Sequence, residues 1–418
     1  MSWNPVLNLF IEIKQKMLKT NKNLWEYENG ERSCLEYWIN VLNDPYYREI
    51  FQNLLINEFG NFVLIRYGKF SKVFGNRENN DLKYNTFWDL YDGLYRECRS
   101  VVLDMSRDCL VLTPFKKFLN LNEIPETSME NIQKMIKNAS CVEFSDKLDG
   151  SMQSARYYNG EIIMAGSQAI NPEASWRLKD GYARLTDGHK KMIMDYPEYT
   201  FIFEYISQKD AHVVHYDREG LFLIGIRDVR DGREFGYHDV IKMANDYNVE
   251  TTRVFDKTLE DVVSELDLKK ANEAEGFVLN IDGYKVKIKY NDYVGIHKTI
   301  NRFSSGNTII EYIANDSLDD LIAKVPEAYK DQVRKTAYII YDYLEMMKEK
   351  TEMYYLSAPK NNKKEFMVWV TDNVPEFLQG YVRNKFLGKS YDFLRKDRNS
   401  CLKMKELERR MDCLSEHS

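Results

Sequence analysis

Apolar residues recur at helical spacing at the start of the chain, where Leu7, Phe10, Ile11, Ile13 and Leu18 mark one face. A second helical pattern covers residues 37–55, so the first 60 or so residues are expected to be helical. From about Tyr84 the pattern shortens to strands. Val101-Val102-Leu103 and Leu110-Val111-Leu112 flank Arg107-Asp108 as a hairpin. Residues 151–158 and 161–165 flank Asn159-Gly160, a pair suited to the positive φ angles of a type I′ turn. Residues 221–229 and 233–237 flank Asp231-Gly232 in the same way, and 275–281 and 284–290 flank Asp282-Gly283. The pattern predicts an antiparallel-rich α+β architecture without the strand–helix alternation of a parallel doubly wound sheet. Beyond about residue 300, residues 319–350 and 361–410 lack turn dipeptides and keep helical spacing, as at Ala337, Ile340, Tyr341 and Leu344. Ser304, Ser305 and Gly306 place a boundary within residues 302–307, giving domains of 1–303 and 304–418.

Length and composition narrow the class. The 418 residues suffice for two domains, and 44% hydrophobic with 30% charged residues is a globular composition. No apolar run approaches the ~20 residues that span a bilayer. MSWNPVLNLF carries no cationic stretch leading into an apolar core. The six cysteines, Cys34, Cys98, Cys109, Cys141, Cys401 and Cys413, form no Cys-x-x-Cys pair, which argues against a zinc site or a disulfide framework. A soluble protein of a reducing cytoplasm is the expectation (the host cytoplasm, if the chain is phage-encoded). The net charge of −6 requires any nucleic acid to be met by a local basic patch on an acidic body.

Several charged residues sit where chemistry could use them. Lys147-Leu148-Asp149-Gly150-Ser151 precedes the first strong hairpin. A lysine acts as a nucleophile only when neutral, and burial or neighbouring cations depress its pKa. By itself the motif reads more readily as a turn between strands than as a nucleophile loop. Glu204 interrupts the apolar run 200–206, either as a buried carboxylate needing a cation, a metal or ligand hydroxyls, or as an edge-strand residue facing water. Glu275 opens Glu275-Gly276-Phe277-Val278, where a solvated strand start is the plainer reading. Period-two alternation puts Lys285, Lys287 and Lys289 on one face, as a cationic row aimed at phosphate or as the lysine guard of an edge strand. A nucleophilic lysine, two carboxylates for a divalent metal and paired lysines for a phosphate are together what phosphoryl-type transfer requires. His212-Val213-Val214-His215 reads as two unrelated histidines, since i and i+3 on a strand face opposite ways. Between Arg383 and Arg410 basic residues alternate with Tyr381, Phe386, Tyr391 and Phe393 nearby, which reads as an RNA-gripping surface or as a solvated helical face.

The order Lys-x-Asp-Gly-Ser, strand glutamate, Glu-Gly-Phe-Val, Lys-x-Lys resembles the covalent nucleotidyltransferases: DNA ligases, RNA ligases and mRNA capping enzymes. Glu97-Cys98-Arg99, the stretch Lys117-Phe118-Leu119-Asn120-Leu121-Asn122-Glu123, and Lys287-Ile288-Lys289 followed by Tyr293 are similar to the bacteriophage RNA ligase 1 family, in register from about Glu97 to His297. The resemblance implies an antiparallel-rich, ATP-grasp-like nucleotidyltransferase domain followed by an all-α C-terminal domain. It implies an ATP-dependent, magnesium-requiring RNA ligase that joins 5′-phosphate and 3′-hydroxyl ends, with a nicked tRNA as substrate. Lys147 would attack the α-phosphate of ATP, with Asp149 and Gly150 shaping its loop. Arg99 and Lys117 would contact the triphosphate. Glu204 would bind the ribose or help place metal, and Glu275 would hold the catalytic metal. Lys287 and Lys289 would neutralise the α-phosphate, and Tyr293 would line the nucleotide pocket. Asp319 and Asp320 resemble an acidic pair near a second metal. The chain departs from the family at Ser100, where glycine is common, at Leu119, where phenylalanine is common, and at Met164-Ala165-Gly166-Ser167-Gln168, which stands where the family has Ser-Lys-Gly-Ser and carries no lysine. A DNA ligase would follow the Lys-x-Lys strand with a small β-barrel, and this chain follows it with helical patterns. A non-catalytic RNA-binding protein on the same fold would not need all of Lys147, Glu204, Glu275, Lys287 and Lys289.

Overall fold

The structure, a computed structural model, describes residues 2–18, 44–68, 86–210, 212–295, 305–325, 327–397 and 400–416. It divides into two compact units, Met1–Tyr293 and Val294–Ser418. Of the expected boundary, residues 302–304 lie outside the described residues.

The first unit runs α1 (Pro5–Leu18), α2 (Pro45–Phe51), β1 (Leu54–Phe59), β2 (Phe62–Tyr67), α3 (Leu90–Glu97), β3 (Arg99–Asp104), β4 (Cys109–Leu112), α4 (Met129–Asn138), β5 (Val142–Asp146), β6 (Ser151–Tyr158), β7 (Glu161–Ala165), α5 (Trp176–Ala183), α6 (Asp187–Asp195), β8 (Tyr199–Ile206), β9 (Gly220–Asp228), α7 (Tyr237–Asp246), β10 (Val254–Phe255), α8 (Leu259–Ser264), β11 (Gly276–Ile281) and β12 (Tyr284–Lys289). Its strands form three antiparallel four-stranded sheets, ordered β1-β2-β3-β4, β10-β5-β11-β12 and β7-β6-β8-β9. The first sheet packs α1 through Leu7, Phe10, Ile13 and Leu103, and meets β7 through Leu64, Val102, Val111 and Ile163. The third sheet packs α5, α6 and α7 through Leu178, Met192, Phe203 and Val240.

The helical expectation for residues 37–55 needs correction. Residues 37–43 lie outside the described residues, α2 is short, and Leu54 already opens a strand. The β1–β2 hairpin closes at Gly60-Asn61, where Gly60 takes φ +61. Its apolar run alternates too weakly to separate from a helix by period. The Asn159-Gly160 and Asp282-Gly283 turns join β6 to β7 and β11 to β12, with positive φ at all four residues. The Asp231-Gly232 turn returns only a single bridge, Arg227 to Glu234, because Tyr237 begins α7 rather than extending a strand.

The second unit contains α9 (Gly306–Ala314), α10 (Leu318–Lys324), α11 (Glu327–Ser357), α12 (Lys363–Asn373), α13 (Glu376–Phe386) and α14 (Met404–Glu416) around Ile309, Ile340, Tyr343, Phe366, Leu378 and Leu407. Phe386 stacks on Phe366, and Tyr381, Tyr391 and Phe393 pack edge to face, so these rings build the unit's interior and are not laid out for bases. Several of the basic residues beside them are engaged: Lys385 with Glu352, Arg395 with Asp392, and Arg410 with Glu406. Arg398 lies outside the described residues. No helix among the described residues is long and apolar enough to cross a membrane. The five described cysteines are free thiols, and Cys34 lies outside the described residues.

Candidate active site

Residues 147–150 carry the chain from β5, in one sheet, to β6, in another. Backbone bonds fix the crossing. The Lys147 amide donates to the Gly276 carbonyl (2.9 Å), the Asp149 amide to the Tyr216 hydroxyl oxygen (2.8 Å) and the Gly150 amide to Glu204 Oε1 (2.9 Å). Glycine is required at 150 by space: a Cβ there would lie 2.4 Å from the Tyr205 carbonyl oxygen.

Lys147 Nζ donates to Glu275 Oε2 at 2.6 Å, and Lys289 Nζ meets Oε1 of the same carboxylate at 2.7 Å. Burial works against the Lys147 ammonium, but Glu275, Glu204 and Asp149 outweigh it and hold its pKa above the ordinary lysine value. The expectation that burial and neighbouring cations would depress it is therefore reversed, because the charges of Glu275, Glu204 and Asp149 outweigh burial. Glu204, on β8, is pushed up to about 7 by burial, with Lys147 pulling the other way and Glu275 adding to the rise.

The remaining cations gather opposite. β3 carries a bulge: Val101 pairs with Ile65 and Arg99 with Arg66, leaving Ser100 extra at φ +67. The bulge turns Arg99 toward Phe118, 5.0 Å from guanidinium carbon to ring centroid, and Arg99 Nη1 is buried without a hydrogen-bond partner. Residues 119–121 run beside β12, with the Lys287 amide donating to the Leu119 carbonyl (2.9 Å) and the Leu121 amide to the Lys287 carbonyl (2.8 Å). That pairing sets Lys117 beside Lys287. Lys117 Nζ lies 5.4 Å from the ring centroids of both Tyr67 and Trp88, and Lys287 Nζ 4.8 Å from that of Phe118. Burial, then the charges of Lys117, Arg99, Lys147 and Lys289, push the Lys287 ammonium well below its ordinary pKa. The cleft between these groups is lined by Phe115, Phe118, Leu148, Met152, Ile224 and Val278 together with Arg99, Lys147, Glu204 and Lys287. An apolar slot ending in unpaired cations fits a planar base joined to a polyphosphate.

Residues 97–293 match the model of a family described as RNA ligase. Over that stretch the chain is similar to the RNA ligase family. Among its relatives, RNA ligase 1 of Bacteriophage TS2126 is 24% identical over 261 residues, covering 60% of this chain and 62% of that one. A Thermovibrio ammonificans protein named "Putative RNA ligase" is 27% identical over 292 residues, covering 65% of this chain and 73% of the relative. The solved Naegleria gruberi RNA ligase with PPi aligns at a TM-score of 0.33 and 19% identity, over 40% of this chain and 55% of that one. The chain thus spans only about half the length of that solved relative.

Of the residues expected to act together, Arg99, Lys117, Lys147, Glu204, Glu275, Lys287 and Lys289 come together as described. Asp149 is occupied by the loop itself. Its carboxylate accepts from the Val213 and Val214 amides (2.9 and 3.0 Å) and the Tyr293 hydroxyl (3.0 Å), and faces His212 Nδ1 at 3.5 Å. Tyr293 is expected along the nucleotide pocket, yet it stands behind Asp149 with Lys289 Nζ 5.0 Å over its ring. Lys285 leaves the cationic row to pair with Glu234 at 2.5 Å. Leu119 is buried with the α1 core, so the aromatic wall of the cleft falls to Phe115 and Phe118. Asp319 and Asp320 lie exposed in the first turn of α10 in the second unit, where acidic residues suit a helix start.

Sequence reasoning passed over His212 and Asp210. Residues 212–216 form no strand, so the strand-face argument did not apply to them. His212 is bracketed by Asp149 and, at Nε2, by Asp210 Oδ2 (3.3 Å). Burial would lower its pKa, but the two carboxylates raise it to about 10, and Asp210 is held down to about 2 in spite of its own burial by His212, Ser151 and Arg177. Nothing in the spacing of the sequence signals this bracket. No group of three or more His, Cys, Asp or Glu side chains placed to hold a metal ion occurs among the described residues.

Proposed function

We propose that this protein is an ATP-dependent RNA ligase that joins a 5′-phosphate to a 3′-hydroxyl through a lysyl-AMP on Lys147 and an RNA-adenylate. The observation that carries the reading is the excess of buried, unpaired cations facing Lys147: Arg99 Nη1 without a partner, and Lys287 destabilised by its neighbours. A polyphosphate relieves both. In the first step the Lys147 amine, having lost its proton, forms a P–N bond to the α-phosphorus while the α–β anhydride bond breaks and pyrophosphate leaves. The RNA 5′-phosphate oxygen then displaces Lys147 from the AMP, and the 3′-hydroxyl oxygen displaces AMP. Arg99 and Lys117 hold the β- and γ-phosphates, and Lys287 and Lys289 offset charge at the α-phosphate. Lys289 competes with Lys147 for Glu275, so a shift of Glu275 to Lys289 lets Lys147 lose its proton.

Glu204 and Glu275 make an incomplete donor set by themselves, which suits a magnesium ion that takes one or two carboxylates and fills its shell with phosphate oxygens and water. That ion would supply further charge neutralisation. The finer reading, a nicked tRNA as the substrate, is supported by the all-helical second unit, which follows the Lys-x-Lys strand in sequence where duplex-sealing enzymes of this superfamily have a barrel domain. Incubation with ATP and magnesium followed by intact-protein mass spectrometry tests the core claim. A mass gain of one AMP on the wild type, absent from Lys147→Ala, is expected; an AMP adduct on the alanine variant removes the assignment. Comparing joining of a nicked tRNA, a linear RNA and a nicked DNA duplex tests the substrate, and preference for the DNA overturns it.

A further inference from the structure

A second groove, about 500 Å³ and within the range of ligand clefts, opens beside the lysine loop. It shares Met152 with the nucleotide cleft, and Ser151, which directly follows the loop, lines it. One wall is Gly166-Ser167-Gln168, which carries no cation; the other is the start of α5, Ser175 and Arg177. Arg177 is not a loose surface residue. Its Nε donates to Asp210 Oδ1 at 2.8 Å and its Nη2 meets the same oxygen at 2.8 Å, while half the side chain stays exposed. Asp210 is buried and also accepts from Ser151 Oγ at 2.6 Å. A buried carboxylate thus aims one guanidinium into the groove and ties it to the lysine loop. The Ser175 hydroxyl makes no cap bond to its own helix. Next to Arg177, Trp176 is 49% exposed, with the Arg177 guanidinium 4.9 Å over its ring.

From this arrangement we propose that the groove is the acceptor-strand site, with Arg177 gripping a phosphodiester near the RNA 3′ end and Trp176 stacking under one of its bases. The inference deepens the ligase reading and rests on it. Charge decides which ligand goes where. The nucleotide cleft gathers Arg99, Lys147 and Lys287 on one polyphosphate, whereas a single pinned guanidinium with hydroxyls around it suits the single charge of a phosphodiester. An exposed tryptophan beside a phosphate-binding group is the pairing that single-stranded nucleic acid requires, since every base offers a face to stack. Position also fits: Ser151, which lines the groove, directly follows the loop that presents the adenylated phosphate.

The test separates the sealing step from lysine adenylation. The full-length protein is given a pre-adenylated donor oligonucleotide and a titrated RNA acceptor with a free 3′-hydroxyl, and the acceptor KM is measured. Lysyl-AMP formation from ATP is followed in parallel. Arg177→Ala should raise the acceptor KM by about tenfold or more, Arg177→Lys by less, and Trp176→Ala by about fivefold. In each variant the loss in sealing should exceed any loss in lysine adenylation by a similar factor. An unchanged acceptor KM in both alanine variants overturns the proposal. So does a proportional fall of adenylation and sealing in Arg177→Ala, since that would mean Arg177 merely props Asp210. Absence of lysyl-AMP on the wild-type protein would instead remove the ligase reading.

Discussion

Lys147 meets two conflicting demands, and the side chains around it show how both are met. It must be anchored, which its 2.6 Å pair with Glu275 does, and it must become neutral, which that pair resists. Lys147→Arg can keep the ion pair but not the chemistry, because guanidinium stays protonated. It should melt like the wild type and form no AMP adduct by mass spectrometry. His212 serves the same loop at one remove. Its folded pKa of about 10 lies above the roughly 6.5 of an unfolded chain, so its contribution to stability is complete below about pH 6.5 and fades as pH rises toward 10. His212→Gln leaves Asp149 and Asp210 facing no cation at that point and should cost about 3 kcal/mol near pH 6. Urea titrations of both proteins should show the gap narrowing steadily between pH 6.5 and 10. A gap independent of pH would mean that His212 acts by packing alone.

At the scale of elements, what the sequence reveals depends on whether the signal is local. The Asn159-Gly160 and Asp282-Gly283 hairpins were readable because a positive-φ turn needs those residues, and the Lys-x-Asp-Gly loop because the β6 hairpin follows it directly. The β1–β2 hairpin was not, since its apolar run has no clear period, nor was the bracket around His212, which joins residues more than 60 apart in sequence. The bulge at Ser100 lies between these cases. The departure from glycine was visible, and its meaning needed the pairing register: Ser100 occupies the left-handed region that glycine enters freely, and its hydroxyl donates to the Ser167 carbonyl at 3.2 Å. That conformation costs an L-residue about 1–2 kcal/mol, and the hydrogen bond returns about 1 kcal/mol. Ser100→Gly removes the strain, loses the bond and loosens the unfolded chain, so its stability should stay within about 1 kcal/mol of the wild type. Ser100→Ala keeps the strain and loses the bond. It should be the less stable of the two by thermal melting, and an alanine variant as stable as the glycine one would show that the bulge is unstrained.

At the scale of the whole molecule, a chain of net charge −6 concentrates its functional cations in one cleft of the first unit. That unit has its own cores, and all the groups assigned to lysine adenylation belong to it. The second unit has a separate helical core and supplies none of them. Its interleaved aromatic stretch, which read in sequence as an RNA-gripping surface or as a solvated helical face, is spent on packing, whereas Tyr338 on α11 is 65% exposed. Any contribution of this unit to RNA therefore comes from its outer helical faces, through basic side chains and exposed rings such as Tyr338. A chain ending near residue 303 should still form lysyl-AMP, because it retains the three sheets and every residue proposed to touch ATP. It should seal a linear RNA within a few-fold of the full chain, since both clefts remain. Sealing of a nicked tRNA should fall by about tenfold or more relative to the linear RNA, because a folded substrate offers a second surface to grip and loss of even ~1.4 kcal/mol of binding is a factor of ten. Joining rates on the two RNAs, each normalised to lysyl-AMP formation, give the comparison. Equal losses on both would assign the second unit to general stability, and no loss on either would remove it from RNA recognition.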